Sequence, residues 1–439
     1  MTWLDTRLSR RSVGWILFAL FLLLWAALAK AYTTYSWQEE SRLATIQALV
    51  EQGTFIVDHS EFNRTGDKIF INGHFYSDKT PPLSIAAAGF YSILYNVFGL
   101  TLDTTVCLPD KDLAACRLWG PDGPRFTAFY WLNLVFMGIP SALLVALFWK
   151  AMIERQVRGS LATGMAIALG IASPIGPYSL VFTSHIPASA ALFVGLMLLA
   201  RPPARRGYFW AGLWLGIAAN IDLLLAVFVA TFGIWVLLSR RSMLLPFVLG
   251  VLIPFAVGAA SNYWIAGSFL PLYFDPKAYD FPGTVLNTTV GGTNGFYSLQ
   301  FGLRYAYDLL IGRHGVFAYT PLFLYAVAGM WAAIRSREHP LRAFALAALS
   351  GCLLFTAYLI ARTDNFAGVA WGVRWFTSLT PLAWYFGAFL FDKPHGRVGW
   401  AALAAAVIVS AWTVAPGLHN TWQEIKPVFY LELTAFDYP

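Results

Sequence analysis

Apolar stretches of about 15–25 residues recur along the whole of this sequence, and they fix the solvent in which it can fold. A run of that length can cross roughly 30 Å of hydrocarbon. Within hydrocarbon no water satisfies the backbone, so each run must close its own hydrogen bonds as a helix. Only 12% of the 439 residues are charged and the mean hydropathy is +0.59, a composition foreign to water-soluble domains. The 18 Trp and 20 Tyr suit a chain with many membrane–water boundaries, where amphipathic rings settle. The fold class that follows is an all-α polytopic membrane protein.

The placement of charge predicts how the chain is threaded. Arg7, Arg10 and Arg11 precede the first run, 14–31, and put the N-terminus in the cytoplasm. That run lacks a small-residue cleavage site and is expected to stay as a span. Further spans are expected at 126–150, 160–180, 186–200, 208–222, 223–238, 243–263, 316–334, 342–361, 375–391 and 398–415. Asp222 would mark the outer tip between two of them. The run 81–98 decides the rest. If it crosses the membrane, the basic loops ERQVR, RPPARR and SRRS fall outside; if it lies on the outer surface, all three fall inside, as the positive-inside rule requires. The second layout is taken, and it divides the chain into 1–31 (cytoplasmic end and first span), 32–125 (outer loop), 126–263 (transmembrane), 264–315 (outer loop), 316–415 (transmembrane) and 416–439 (outer tail).

Two function classes weaken at once. The net charge of +7 is scattered over short loops and is not gathered on one soluble face, which argues against nucleic acid as a partner. The three cysteines lack the spacing of a zinc site; Cys107 and Cys116 share an outer loop and are expected to pair, while Cys352 lies in an apolar run.

Against this background the stretch 37–84 stands apart. It gathers Glu39, Glu40, Asp58, His59, Asp67, His74, Asp78 and Lys79 close to a bilayer, where polar groups cost free energy. Glu39 and Glu40 open a helical pattern in which Leu43, Ala44, Ile46, Leu49 and Val50 make one apolar face, the expectation being a helix lying on the membrane surface. Acids in a first turn are common on electrostatic grounds alone; the alternative is a general base or a divalent-metal ligand. Between them the sequence favours Glu40, which shares the face of Leu43 and Ala44. Residues 67–84 alternate around Asn72-Gly73 and read as a hairpin carrying His74, Asp78 and Lys79 to a helix that starts at Pro81-Pro82. Lys79 is suited to a phosphate at the headgroup plane, or merely to snorkelling there. Among later residues, Arg313 and Arg374 have the fork that phosphate oxygens prefer, Trp371 in WGVRW is a candidate face for a sugar ring, and His185 begins a span with no visible partner. Interfacial anchoring explains the arginines and the Trp about equally well.

An acidic residue after the first span, a surface helix ending in Gly, and a turn leading to Y-x-x-K with Pro-Pro-Leu close behind resemble the GT-C membrane glycosyltransferases. The nearest resemblance is to the family 39 group of protein O-mannosyltransferases and lipid A aminoarabinose transferases. It is carried by ESRLATIQALVEQGTF and NGHFYSDKTPPL, with Thr80 inserted between Lys79 and Pro81-Pro82. The pieces 182–189, 212–222, 262–273, 312–323 and 368–381 are similar to bacterial members of the same group. The resemblance implies a GT-C bundle of about eleven transmembrane helices with interfacial helices in the first outer loop. It also implies inverting transfer of a sugar from a polyprenyl-phosphate donor to a lipid, glycan or protein acceptor, outside the bacterial inner membrane, with a divalent metal ion as a possible cofactor. Glu40 or Glu39 would be catalytic, Lys79, Arg374 and Arg313 would hold the donor phosphate, and Asp78, His74, His185 and Trp371 would meet substrate.

A carrier or flippase without bond chemistry is the rival from another class, and a non-catalytic subunit of the same fold is a third. Carriers place ionisable residues within their spans. Here such residues concentrate in the outer loops, which favours the enzyme.

Overall fold

The computed structural model describes residues 7–33, 36–102, 126–284, 298–363, 365–391, 396–424 and 426–427. Cys107 and Cys116, with the disulfide expected of them, lie outside the described residues. Helix α1 (Arg7–Leu28) leads into a polar piece: α2 (Trp37–Gln47), a π-turn over Ala48–Gln52, the hairpin β1 (Lys68–Ile71) and β2 (His74–Ser77), and α3 (Pro81–Phe98). Next, α4 (Ala128–Asn133) and α5 (Ile139–Glu154) are joined by a π-turn into one helix of 27 residues. They are followed by α6 (Gly159–Ile171), α7 (Ile175–Tyr178), α8 (His185–Leu199), α9 (Arg205–Ile221), α10 (Ala226–Ser239) and α11 (Leu244–Ala266). After the segment that follows α11 come α12 (Leu299–Leu310), α13 (Val316–Tyr319), α14 (Leu322–Arg335), α15 (Arg342–Arg362), α16 (Thr380–Phe389) and α17 (Arg397–His419).

The bundle is apolar on its outside. Trp15, Leu20 and Leu23 of α1, Leu245, Leu252 and Val257 of α11, Leu353 of α15 and Trp412 of α17 are exposed, as lipid-facing side chains are. Polar groups turn inward and pair there: Ser179 with Ser141, and the Asn133 amide with the Leu180 carbonyl. Four helices are long and apolar enough to cross a membrane, and shorter apolar ones accompany them. Close approach is achieved with small residues, the usual device where lipid removes any hydrophobic drive between helices. A Cβ at Gly212 or Gly250 would lie 2.1 Å from the Phe247 or Phe209 carbonyl across the α9–α11 contact, and one at Gly329 would lie 2.1 Å from that of Phe386 between α14 and α16.

Besides 126–150 with its π-turn, four expected spans are not continuous α-helices: 316–334 breaks at Thr320-Pro321, 223–238 opens on a 3₁₀ turn over Leu223–Leu225, and the other two bear on the polar piece. The run 160–180 breaks after Ile171, where Pro174 has no N–H to give and the Ser173 hydroxyl takes the Leu169 carbonyl instead. The run 375–391 starts as a 3₁₀ turn, Arg374–Leu379, before α16. Both irregular turns sit beside the polar piece and bring backbone groups to it.

The run 81–98 is helical over its whole length, with Pro81 and Pro82 in its first turn and Gly99 in the left-handed region (φ 65°) at its end. The hairpin also forms as the sequence predicts, with Asn72 and Gly73 at positive φ (52° and 88°) and Ile69 opposite Tyr76. Helix α2 departs from expectation. It is buried on every side from Gln38 to Gln47 and does not lie on a surface with one apolar face. Outer elements cover it: Thr65 donates to the Trp37 carbonyl, Gly66 sits on the Trp37 ring, and Ser60 donates to Gln47 Oε1.

The two ends of the bundle differ in kind. At one end Gly14 of α1 lies on Trp149, Arg155 donates to the Ala200 carbonyl, Arg201 pairs with Glu154 and Arg158 donates to the Phe391 carbonyl. At the other end stand the polar piece, Asp222 and the turn Asn420–Trp422 after α17.

Candidate active site

Three separate segments converge on α2. The Glu39 carboxylate is wholly buried and accepts from the Phe182 N–H (2.7 Å), the Thr33 hydroxyl (3.1 Å) and the Trp422 indole N–H (3.1 Å). Burial drives its pKa upward, opposed by the Lys30 charge and by these hydrogen bonds. Its three donors come from the segment after α1, the break before α8 and the segment after α17, so Glu39 ties the polar piece into the bundle. Glu40 differs in each respect. No described side chain hydrogen-bonds its carboxylate, and burial, then the neighbouring Glu39 and Asp67 charges, push its pKa up to about 7, against the pull of Arg64. A carboxyl group that titrates near neutrality and has no fixed partner is free to exchange a proton.

The floor of the site is a charged lattice. Lys79 Nζ sits 2.6 Å from Asp67 Oδ2 and 3.0 Å from Asp78 Oδ1, all three largely buried. The two carboxylates differ under one ammonium. Burial raises both, but Lys79, with Arg374 and Arg42, holds Asp67 below the usual carboxylate range, whereas Asp78, facing Asp67, stays above it. Ser41 Oγ, one turn beyond Trp37, lies 2.5 Å from the Asp67 carbonyl and 2.7 Å from Ser77 Oγ, which fixes the hairpin on α2.

Over this lattice stand Arg42 and Arg374. Arg42 is 3% exposed, donates to the Gln38 carbonyl (3.3 Å), and burial lowers its pKa to about 10 against the pull of Asp78, Asp67 and Asp222. Arg374 lies over the Trp422 ring at 5.5 Å, the same indole that donates to Glu39. Among the described residues the buried Nε of each guanidinium meets no hydrogen-bond partner, and neither does Nε2 of His185. The other ring nitrogen of His185 is 3.3 Å from Asp222 Oδ2, a carboxylate that also takes the Ser378 hydroxyl at 3.4 Å. Unpaired buried polar groups cost about 1–3 kcal/mol each, so two guanidinium N–H donors and an imidazole nitrogen beside one cluster mark a place kept for a polar ligand.

The structure thus brings together Glu39, Glu40, Asp78, Lys79, His185 and Arg374. It does not bring His74, which pairs with Asp58 (2.7 Å) on the exposed face of the hairpin. Arg313 is matched to Glu424 (2.6 Å) in a separate group with His314 and Asp308. Trp371 is core: 1% exposed, its indole N–H on the Thr413 carbonyl, its ring edge-on to Tyr319. The sequence reading gave no site role to Arg42 or Trp422, nor to Asp67 and Asp222, which it placed only in the polar stretch and at a turn between spans. Arg42 was in view as Glu39-x-x-Arg, one turn apart on a helix; the roles of the others have no local signal, because their partners are far along the chain.

Among the described residues no three or more His, Cys, Asp or Glu gather as metal ligands. Asp67 and Asp78 already share an ammonium, so this donor set does not fit a divalent ion.

No protein-family model matches the chain, and no curated protein matches it either. Two solved structures do. ArnT from Cupriavidus metallidurans bound to undecaprenyl phosphate superposes with a TM-score of 0.53 at 14% identity, over 91% of this chain and 64% of that one. The apo state of the same protein gives 0.50 at 13% identity, over 90% and 64%. The chain therefore spans just under two thirds of the length of ArnT, and an identity this low speaks for architecture alone. That architecture is an all-α polytopic membrane fold, which this chain shares with ArnT.

Proposed function

We propose that the chain is an integral-membrane glycosyltransferase that moves a sugar from a polyprenyl-phosphate donor to a hydroxyl of a lipid, glycan or protein acceptor, on the outer face of a bacterial inner membrane. The observation that carries this reading is the pair of buried Nε–H groups of Arg42 and Arg374, unpartnered among the described residues, on two guanidiniums that feel the charge of Asp67, the same carboxylate whose charge reaches Glu40. A phosphate supplies the acceptors those groups lack, and ArnT was crystallised with a lipid of that kind.

The reaction runs through side chains of this chain. The Glu40 carboxylate takes the proton of the acceptor hydroxyl, and the oxygen forms a bond to the anomeric carbon from the face opposite the phosphate. The bond between that carbon and the phosphate oxygen breaks, its electron pair leaving on the lipid phosphate. Arg42 and Arg374 bind that phosphate and stabilise the charge that builds on it. Inversion follows from single displacement. Lys79 keeps Asp67 ionised below them and sets the field rather than offering a free ammonium.

The test is transfer by purified protein offered a panel of polyprenyl-phosphate sugars, with and without chelator. Wild type should use at least one lipid donor, and Arg374→Lys should use it with a raised KM because the fork is lost. Donor KM unchanged in both Arg374→Lys and Arg42→Lys would return these residues to a structural role. Transfer from none of the lipid donors would remove the reading itself.

A further inference from the structure

At the far end of the bundle from this site, α9 and α11 part to leave a groove of about 440 Å³ lined by Arg205, Arg206, Phe209, Ser242, Leu245 and Leu249, with Pro246. The 17 residues of α9 separate it from Asp222 by about 25 Å. The groove has two kinds of wall. Its rim holds two exposed guanidiniums and a hydroxyl, and Arg241 adjoins Ser242 in the chain. None of Arg205, Arg206 and Arg241 is in an ion pair or side-chain hydrogen bond among the described residues, unlike Arg201, which Glu154 neutralises, or Arg240, which bonds Tyr208. Helix α9 itself starts from Ala204 without a capping side chain, so its first N–H groups point at the same rim. Below the rim the wall is apolar and faces outward, with Leu245 67% and Leu249 48% exposed.

We infer that this groove is a binding site for an anionic glycerophospholipid. The charge asks for an anion, and the outward apolar wall asks that the anion be the head of a molecule whose chains lie in the bilayer. A free phosphate would use the rim and leave Phe209, Leu245 and Leu249 bare. A soluble acidic peptide would have to leave water for hydrocarbon to reach them. The headgroup phosphate sits on Arg205, Arg206 and the Ser242 hydroxyl, and the first carbons of the chains follow Phe209 down to Leu249. Basic pockets between spans at the cytoplasmic surface are the usual place for such lipids. The lipid spans the base of the α9–α11 pair, whose backbones touch through Gly212 and Gly250, so its binding holds together the two helices whose other ends meet the polar piece.

The probe is phosphatidylglycerol, titrated into the purified full chain in neutral detergent, read by thermal melting and by native mass spectrometry. Phosphatidylglycerol should raise the melting temperature and stay bound, while phosphatidylcholine and inorganic phosphate should do neither. Arg205→Ala with Arg206→Ala should weaken half-saturation about thirtyfold, since each cation near a headgroup contributes roughly one kcal/mol. If that variant does not fold, two others keep the question open to refutation. Arg205→Lys with Arg206→Lys preserves charge and should lose only part of the affinity. Leu249→Trp fills the apolar wall, keeps both arginines, and should weaken the lipid. Equal binding in the double alanine variant, or in Leu249→Trp, overturns the site. An equal shift from inorganic phosphate overturns the lipid.

Discussion

At the scale of single residues the site turns on an adjacent pair of carboxyl groups with unlike surroundings. One helix step rotates about 100°, so Glu39 and Glu40 cannot share an environment. Glu39 is held by three donors from three segments; Glu40 meets charge but no described hydrogen-bond donor. Removing a general base costs about 10²–10⁴ in rate, and Glu40→Gln should show that loss with protein level unchanged. The pH dependence has a defined sign. Glu40 must be ionised to take a proton, so the wild-type rate should rise with pH through a midpoint near 7. Stability moves the other way. A carboxyl group whose folded pKa is raised binds its proton more tightly when folded, so its contribution is fullest below the unfolded value and fades as pH climbs to about 7. Glu40→Gln should lose that slope. A rate profile with no limb near 7, or Glu40→Gln at full activity while Glu39→Gln is dead, moves the base to Glu39.

At the scale of elements, what the sequence showed and what it hid follow one rule. Elements set by local chemistry were legible: the helix 81–98 between Pro81-Pro82 and Gly99, the Asn72-Gly73 hairpin, the turn at Asp222. Features set by distant partners were hidden. Periodicity gave α2 one apolar face, but burial on all sides needs the hairpin, the loop 58–66 and the tail to close over it. Lys79 read as a free cation because Asp67 is twelve residues away on an irregular turn. The tail read as a bare extension because the link from Trp422 to Glu39 has no periodicity at all. The α9–α11 contact belongs to this second class and offers a measurement. Gly250→Ala must displace the Phe209 carbonyl or separate the helices, and should cost about 1–3 kcal/mol or more by overpacking. Gly89→Ala on α3 meets nothing within 4 Å and should be neutral or stabilise by up to about 1 kcal/mol. Thermal melting of both variants in one detergent makes the comparison; equal effects would mean the α9–α11 spacing is not set at Gly250.

At the scale of the molecule the question is which end faces which side. The basic loops 154–158 and 200–205 are bound to each other and to Phe391, and the start of α1 lies beside them at Trp149. The polar piece is at the opposite end, where Thr80 donates to the Ile221 carbonyl. Helix α3 does not join these two ends. It leaves from Thr80 beside Ile221 and finishes near Leu102, whose carbonyl accepts from Gln47 of α2 and whose N–H donates to Tyr91. The chain is still on the polar side when α4 starts, since the Thr127 hydroxyl donates to the Ala31 carbonyl at the end of the first span. Both ends of α3 therefore attach to the same side, which supports the reading of 81–98 as a helix along the surface, and α3 is not among the four helices long and apolar enough to cross a membrane. The positive-inside rule then sets the side. In a background without native cysteines, Asn72→Cys on the hairpin should react with an impermeant maleimide in intact cells, and Gln156→Cys only after permeabilisation, both positions being exposed. Labelling of Gln156→Cys in intact cells with Asn72→Cys protected would invert the protein in the membrane and put the site in the cytoplasm. Labelling of both from one side would mean that the bundle does not separate its two ends across a bilayer, and the surface placement of α3 would fall with it.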